Sequence, residues 1–152
     1  EGPRPAHASL FTKAFSLRLA WQGLLVGAVT LCAWGLGWSM AHDGGALAGT
    51  MAFATLTLCQ LFHAFDVRSD HKTVAQLGFT SNRAMVKAFL VGLALLMAAL
   101  VCPPLRLVFG TVAMPLRAWG WVLLLSLAPA AVSELEKVLH QSGRKDRKVV
   151  RV

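Results

Sequence analysis

The chain contains 152 residues, of which 56% are hydrophobic and only 14% charged, and its formal net charge is +8. A soluble domain has about a quarter of its residues charged, so this composition excludes an ordinary soluble protein and indicates a membrane protein. We also expect no nucleic-acid partner, because the basic residues lie between apolar runs and not on one solvated face.

The first two apolar runs cover residues 19–41 and 44–65, and neither contains Asp, Glu, Lys or Arg. At 1.5 Å per residue, a helix over either run is long enough to cross the roughly 30 Å hydrocarbon core of a bilayer. His42-Asp43-Gly44 separates the two runs and is typical of a turn. The pattern therefore predicts two antiparallel membrane spans. Gly23-x-x-x-Gly27 in the first span offers a surface on which another helix can pack closely.

The third and fourth apolar runs cover residues 83–102 and 116–139. Lys87 lies one turn inside the third run, where its long side chain can reach the interface, and Pro103-Pro104 ends that run. Only residues 118–133 of the fourth run are uncharged, and Pro129 lies among them. We expect a fourth span here too, in which the proline leaves one backbone carbonyl without its helical hydrogen bond. The predicted fold is an all-α, four-helix membrane bundle that forms one domain over residues 1–152.

The basic residues predict the orientation of the bundle. Of the 15 Lys and Arg residues, 13 lie towards one side: before the first span, between the second and third spans or in the first turns of the third, and in the last turn of the fourth or after it. The positive-inside rule therefore places the N-terminus, the loop at 66–82 and the C-terminus in the cytosol. Four tryptophans then fall at the outer interface, where indole rings prefer to lie: Trp34, Trp38, Trp119 and Trp121.

The chain carries no motif of a soluble catalytic site, so we assign no catalytic and no cofactor-binding residue. Its most unusual polar groups are Gln60 and His63, which lie one turn apart on one face of the second span, with Thr57 a turn before them. Because unpaired polar groups are costly in hydrocarbon, this face should point into a protein bundle. By chemistry alone, the two side chains either bind a cation or hydrogen-bond a neighbouring helix.

A resemblance to a known family favours the interpretation that Gln60 and His63 bind a cation. TMAFATLTLCQLFHAFDVRS at 50–69 resembles the eighth membrane helix and following loop of calcium-pump-type P-type ATPases. VCPPL at 101–105, FGTV at 109–112, Trp119 and ELEK at 134–137 are similar to the ninth helix, outer loop and tenth helix of that family. The similar segments occur in the family's order over nearly the whole chain.

The resemblance implies that the chain is helices seven to ten of a longer pump. Plasma-membrane-type members of the family carry glutamine at the position of Gln60, which implies the plasma membrane as its location. The complete pump would use ATP and Mg and carry a cation, calcium above all. Its remaining membrane helices and the lipid bilayer would be the partners of this chain. Gln60 and His63 are then candidate cation-site residues. The family's two-ion members have glutamate at the position of Gln60, so the glutamine implies a single ion site.

An alternative interpretation is a free-standing four-helix membrane protein, such as a small carrier or an assembly factor. The first methionine is Met40, within the first span, and we therefore expect the chain to be the C-terminal part of a longer polypeptide.

Overall fold

The computed structural model of the chain describes residues 13–41, 44–66 and 83–149. These residues form five helices, which we number in chain order. They are α1 (Lys13–Met40), α2 (Ala46–Asp66), α3 (Arg83–Val101), α4 (Pro103–Phe109) and α5 (Leu116–Val149). The chain is thus all-α, as its composition predicts.

Four of these helices are long and apolar enough to cross a membrane: Leu19–Met40, Ala46–Ala64, Arg83–Val101 and Leu116–Glu136. Large apolar side chains are exposed along α1, α3 and α5, including Leu24, Leu31, Leu95 and Leu124. Such surfaces are stable against lipid and not against water. The prediction of an integral membrane bundle of four spans is confirmed.

Two features of the helices differ from the expectation. Helix α5 continues through Pro129 to Val149, beyond the predicted end of the fourth span at 139. The short helix α4 follows the third span directly, where a simple stop was expected. The predicted turn at 42–43, the loop residues 67–82 and the terminal segments 1–12 and 150–152 lie outside the described residues. The side of the membrane on which the termini lie stays a prediction, as does the single domain.

The break between α3 and α4 falls at Cys102, which two prolines follow. Cys102 has φ −75° and ψ 118°, which is the extended conformation that a following proline favours. Pro103 and Pro104 occupy the first positions of α4, where the lack of an N–H group costs no helical hydrogen bond. The helix ends at Gly110, which adopts a left-handed φ of 64° and donates its N–H to the carbonyl of Arg106.

Helix α2 lies in the middle of the bundle and packs against α1, α5 and α3. The core consists of small and medium apolar side chains from these helices: Ala33, Leu47, Met51, Ala54, Leu58, Leu96, Leu100, Ala118 and Val122. Alanines at these contacts let the helices approach closely. Membrane helices associate through such van der Waals packing, because the hydrophobic effect does not favour helix contacts over lipid contacts.

Glycines determine two of the closest helix contacts. A Cβ atom at Gly37 of α1 would lie only 2.6 Å from the Cα of Ala48 in α2, and one at Gly92 of α3 would lie 2.6 Å from a methyl of Leu61. Gly23 and Gly27, by contrast, have no described atom within 4 Å of their added Cβ positions. The close packing of α1 on α2 therefore uses Gly37 and not the Gly23-x-x-x-Gly27 motif.

Candidate cation site on α2

One side of α2 is left open by the rest of the bundle. Its exposed residues are Gly49, Leu56, Gln60 and Ala64, with the half-buried Phe53 between them. These five positions recur every three or four residues and so form a single strip along the helix. We call this set the open strip of α2. The opposite side of the helix holds Met51, Ala54, Leu58 and Cys59, all buried.

Gln60 is the polar member of the open strip, and its side chain is exposed. His63, one turn further along, is half-buried. The spacing correctly predicts that the two residues share a side of the helix, but the four spans of this chain do not enclose Gln60. The expectation that this face points into protein therefore requires helices beyond the described part of the chain, and it stays a prediction.

Thr57 does not add a free ligand to the site. Its hydroxyl donates a 2.8 Å hydrogen bond to the carbonyl of Phe53 in the same helix. A threonine within a helix commonly satisfies its hydroxyl in this way. The open strip therefore presents one polar group that is not engaged by its own backbone, the amide of Gln60.

A second polar region of α2 lies on the buried side, against α5. The Cys59 thiol donates to the carbonyl of Ser126 over 3.6 Å, within the turn before Pro129. Thr55, one turn away and fully buried, has a hydroxyl with no hydrogen-bond partner among the described residues. The Cys59 hydrogen bond thus joins α2 to α5 on a part of the helix surface away from the open strip. Thr55 and Cys59 were not singled out in the sequence, because isolated Thr and Cys residues in an apolar run carry no distinctive signal.

The arrangement offers a neutral amide oxygen and an imidazole, and no carboxylate, to a ligand. Within the described ranges, no group of three or more His, Cys, Asp or Glu side chains comes together. A hard divalent cation needs about six oxygen ligands, several of them charged. The open strip can therefore contribute a ligand to a cation site, or orient one, while other ligands would have to come from a neighbouring element.

Comparison with known proteins gives matches over most of the chain. Residues 1–139 match the family model described as "Cation transporting ATPase, C-terminus". Calcium-transporting ATPase 1 of Bacillus cereus is 35% identical over an alignment that covers 93% of this chain. A calcium-transporting ATPase of Bacillus subtilis is 32% identical over 84% of the chain. Human calcium-transporting ATPase type 2C member 1 is 27% identical over 97% of the chain.

The chain spans only a small part of the length of these relatives. It covers 18% of the Bacillus cereus protein, 14% of the Bacillus subtilis protein and 16% of the human one. The similarity therefore concerns one region of a much larger kind of protein, and that region is the one which the family model places at the C-terminus.

Proposed function

This chain belongs to the cation-transporting ATPases, whose C-terminal membrane region it matches, and we propose that it lines the cation pathway of an ATP-driven calcium pump. The observation that carries the proposal is the exposure of Gln60 on the open strip of α2. Gln60 lies four residues before the end of the span at Ala64, and a primary amide that faces lipid there is costly, so this side chain requires a polar or protein neighbour.

The open strip is suited to a helix neighbour. Gly49 and Ala64, at the two ends of the strip, are exposed and have small or absent side chains, so the backbone of another helix can approach α2 closely at these two points. We infer that the remaining membrane helices of the same pump pack there. Those helices would bring the carboxylates that a calcium site needs and that the open strip lacks.

Gln60 then has one of two chemical roles. Its amide oxygen coordinates the cation directly, or its amide group hydrogen-bonds and orients a carboxylate ligand from the neighbouring helix. Either way, it adds no negative charge to offset the desolvation of a second divalent ion. We therefore propose a single ion site. His63 is the second candidate, either as a ligand or as a hydrogen-bond partner that orients Gln60.

Calcium as the transported ion is supported by the names of the relatives from Bacillus cereus, Bacillus subtilis and human. ATP and Mg would act in parts of the pump other than this chain, because the sequence holds neither a phosphate-binding glycine loop nor an Asp-Lys-Thr-Gly-Thr phosphorylation motif. The multi-pass membrane location follows from the four spans. We propose the plasma membrane as the site of the pump.

The test is to change Gln60 in the complete pump and measure ATP hydrolysis as a function of free calcium. Gln60→Ala removes the amide and is expected to raise the half-saturating calcium concentration by roughly ten-fold, which corresponds to the loss of one hydrogen bond or ligand to a charged group. Gln60→Glu adds a charge and is expected to shift that concentration as well, while maximal ATP hydrolysis in saturating calcium changes less.

Gln22→Ala is the matched control, because Gln22 is also a glutamine within a span but its amide donates to the Ser133 hydroxyl over 3.4 Å. This variant should keep the half-saturating calcium concentration of the parent. If both Gln60 variants also keep it, Gln60 serves only in packing and the proposal fails.

A further inference from the structure

The short helix α4 and the start of α5 carry an exposed apolar patch at one end of the bundle. Leu107 is 88% exposed, Val108 78% and Leu116 87%. We call these three residues the α4 patch. Phe109 is not counted with them, because its ring stacks on Phe53 of α2 with 6.0 Å between the ring centroids. Clusters of large apolar side chains at such exposure are rare on surfaces that face water.

Several polar groups beside the α4 patch are paired within the chain. The carbonyl of Arg106 accepts the N–H groups of Gly110 and Thr111. The Thr111 hydroxyl donates to the Ala99 carbonyl over 2.7 Å. The N–H of Val112 donates to the Thr50 hydroxyl over 3.0 Å. Pro103 and Pro104 have no N–H to satisfy. Such pairing lowers the cost of bringing this part of the backbone close to the hydrocarbon core.

The α4 patch is continuous with surfaces that face lipid. Helix α4, which carries Leu107 and Val108, is separated from Val101, the exposed last residue of α3, by Cys102 alone, and Leu116 is the first residue of α5. Two arginines stand beside it. The Arg106 Nε donates to the Leu100 carbonyl over 2.7 Å, which anchors the guanidinium at the end of α3, and Arg117 is exposed. Apolar side chains flanked by arginines are the composition of a helix at a phospholipid interface.

We propose that α4 lies in the headgroup region of the bilayer, with the α4 patch inserted among the acyl chains and Arg106 and Arg117 directed to lipid phosphates. The connection between α3 and α5 is then an interfacial anchor and not a water-exposed loop. Because it is bonded to α2 through Thr50 and to α3 through Ala99 and Leu100, the anchor sets the depth of these spans in the membrane.

The experiment places single cysteines in the complete protein, in a background free of other reactive cysteines, and reconstitutes it in vesicles of phosphatidylcholine and phosphatidylglycerol. Leu107→Cys and Val108→Cys test the patch. Ser39→Cys, at the exposed end of α1, is the water-facing reference, and Leu95→Cys, exposed in mid-span, is the lipid-facing one. In one sample, the rate at which each cysteine reacts with a charged thiol reagent is measured. In a separate sample, each cysteine is labelled with a fluorophore, and the quenching of its emission by lipids brominated at shallow or deep acyl positions is measured.

The expected result is that positions 107 and 108 react roughly ten-fold more slowly than position 39, the factor that corresponds to burying about one leucine side chain. Their fluorophores should be quenched most by shallow bromines, and that at position 95 by deep ones. Fast reaction at 107 and 108 overturns the proposal in favour of a water-exposed loop. Slow reaction without bromine quenching also overturns it, because the patch is then covered by protein.

Discussion

Gly37 is the residue at which α1 and α2 come closest. A Cβ atom there would lie 2.6 Å from the Cα and 2.9 Å from the N of Ala48, both backbone atoms that cannot rotate away. Gly37 is itself buried. Any side chain would therefore push the two helices apart and break the dispersion contacts on which their association depends.

We accordingly expect Gly37→Ala to destabilise the protein by about 1–3 kcal/mol, the usual cost of overpacking a tight contact. The thermal unfolding midpoint of the purified protein in detergent measures this effect. Gly35→Ala is the control, since it lies two residues away on α1 with nothing within 4 Å of its added Cβ. That change should be neutral or stabilising by up to about 1 kcal/mol, because alanine has a higher helix propensity than glycine. Equal destabilisation by both would refute the close contact.

At the scale of elements, the connection between α3 and α5 is held by hydrogen bonds to helices as well as by apolar contacts such as that of Phe109 with Phe53. Thr50 of α2 is the central residue of this arrangement. Its hydroxyl donates to the Ala46 carbonyl over 2.8 Å and accepts the N–H of Val112 over 3.0 Å. Thr50 is also almost fully buried, so water cannot replace either bond.

Thr50→Val removes the acceptor and leaves the N–H of Val112 unpaired, at a cost of about 1–3 kcal/mol. We expect faster amide hydrogen exchange in residues 110–115 and little change in α1. Thr30→Val is the matched control, because the Thr30 hydroxyl bonds only to the Val26 carbonyl of its own helix. Unchanged exchange in residues 110–115 of the Thr50 variant would contradict the role assigned to this contact.

At the scale of the whole molecule, the bundle is organised around α2, with three sides packed on α1, α3 and α5 and the fourth left open. The apolar exteriors of α1, α3 and α5 are compatible with lipid. The open strip is different, because it combines small residues with an amide. The same bundle thus presents surfaces for two kinds of neighbour, the bilayer and, as proposed, the other helices of a pump.

The orientation of the bundle is a further prediction at this scale, because it rests on the 13 basic residues of one side. Ser39→Cys, one residue before the end of the first span at Met40, should react with an impermeant thiol reagent added to intact cells. Ser69→Cys, in the segment between the second and third spans, should react only after permeabilisation. If Ser69→Cys reacted in intact cells and Ser39→Cys only after permeabilisation, the orientation of the bundle would be the opposite of the predicted one. Both variants replace serine by cysteine, so the difference could not be attributed to the substitutions themselves.

Composition alone was enough to locate the four spans, because hydrocarbon thickness sets the length of an uncharged helix and charges and prolines mark where it ends. Helical periodicity likewise placed Gln60 and His63 on one side of α2. The helix α4 was not predicted, since its seven residues, which include two prolines and Arg106, are too few for a span and carry no helical pattern.

Which side of each helix meets protein was decided by packing in three dimensions. In a soluble helix the apolar stripe indicates the buried side, but here lipid and protein neighbours are both apolar, so hydrophobicity does not distinguish them. The close contact at Gly37 in place of Gly23 and Gly27, and the exposure of Gln60, therefore became visible only once the helices were assembled. These choices depend on backbone distances between segments far apart in the chain, and no local pattern encodes those distances.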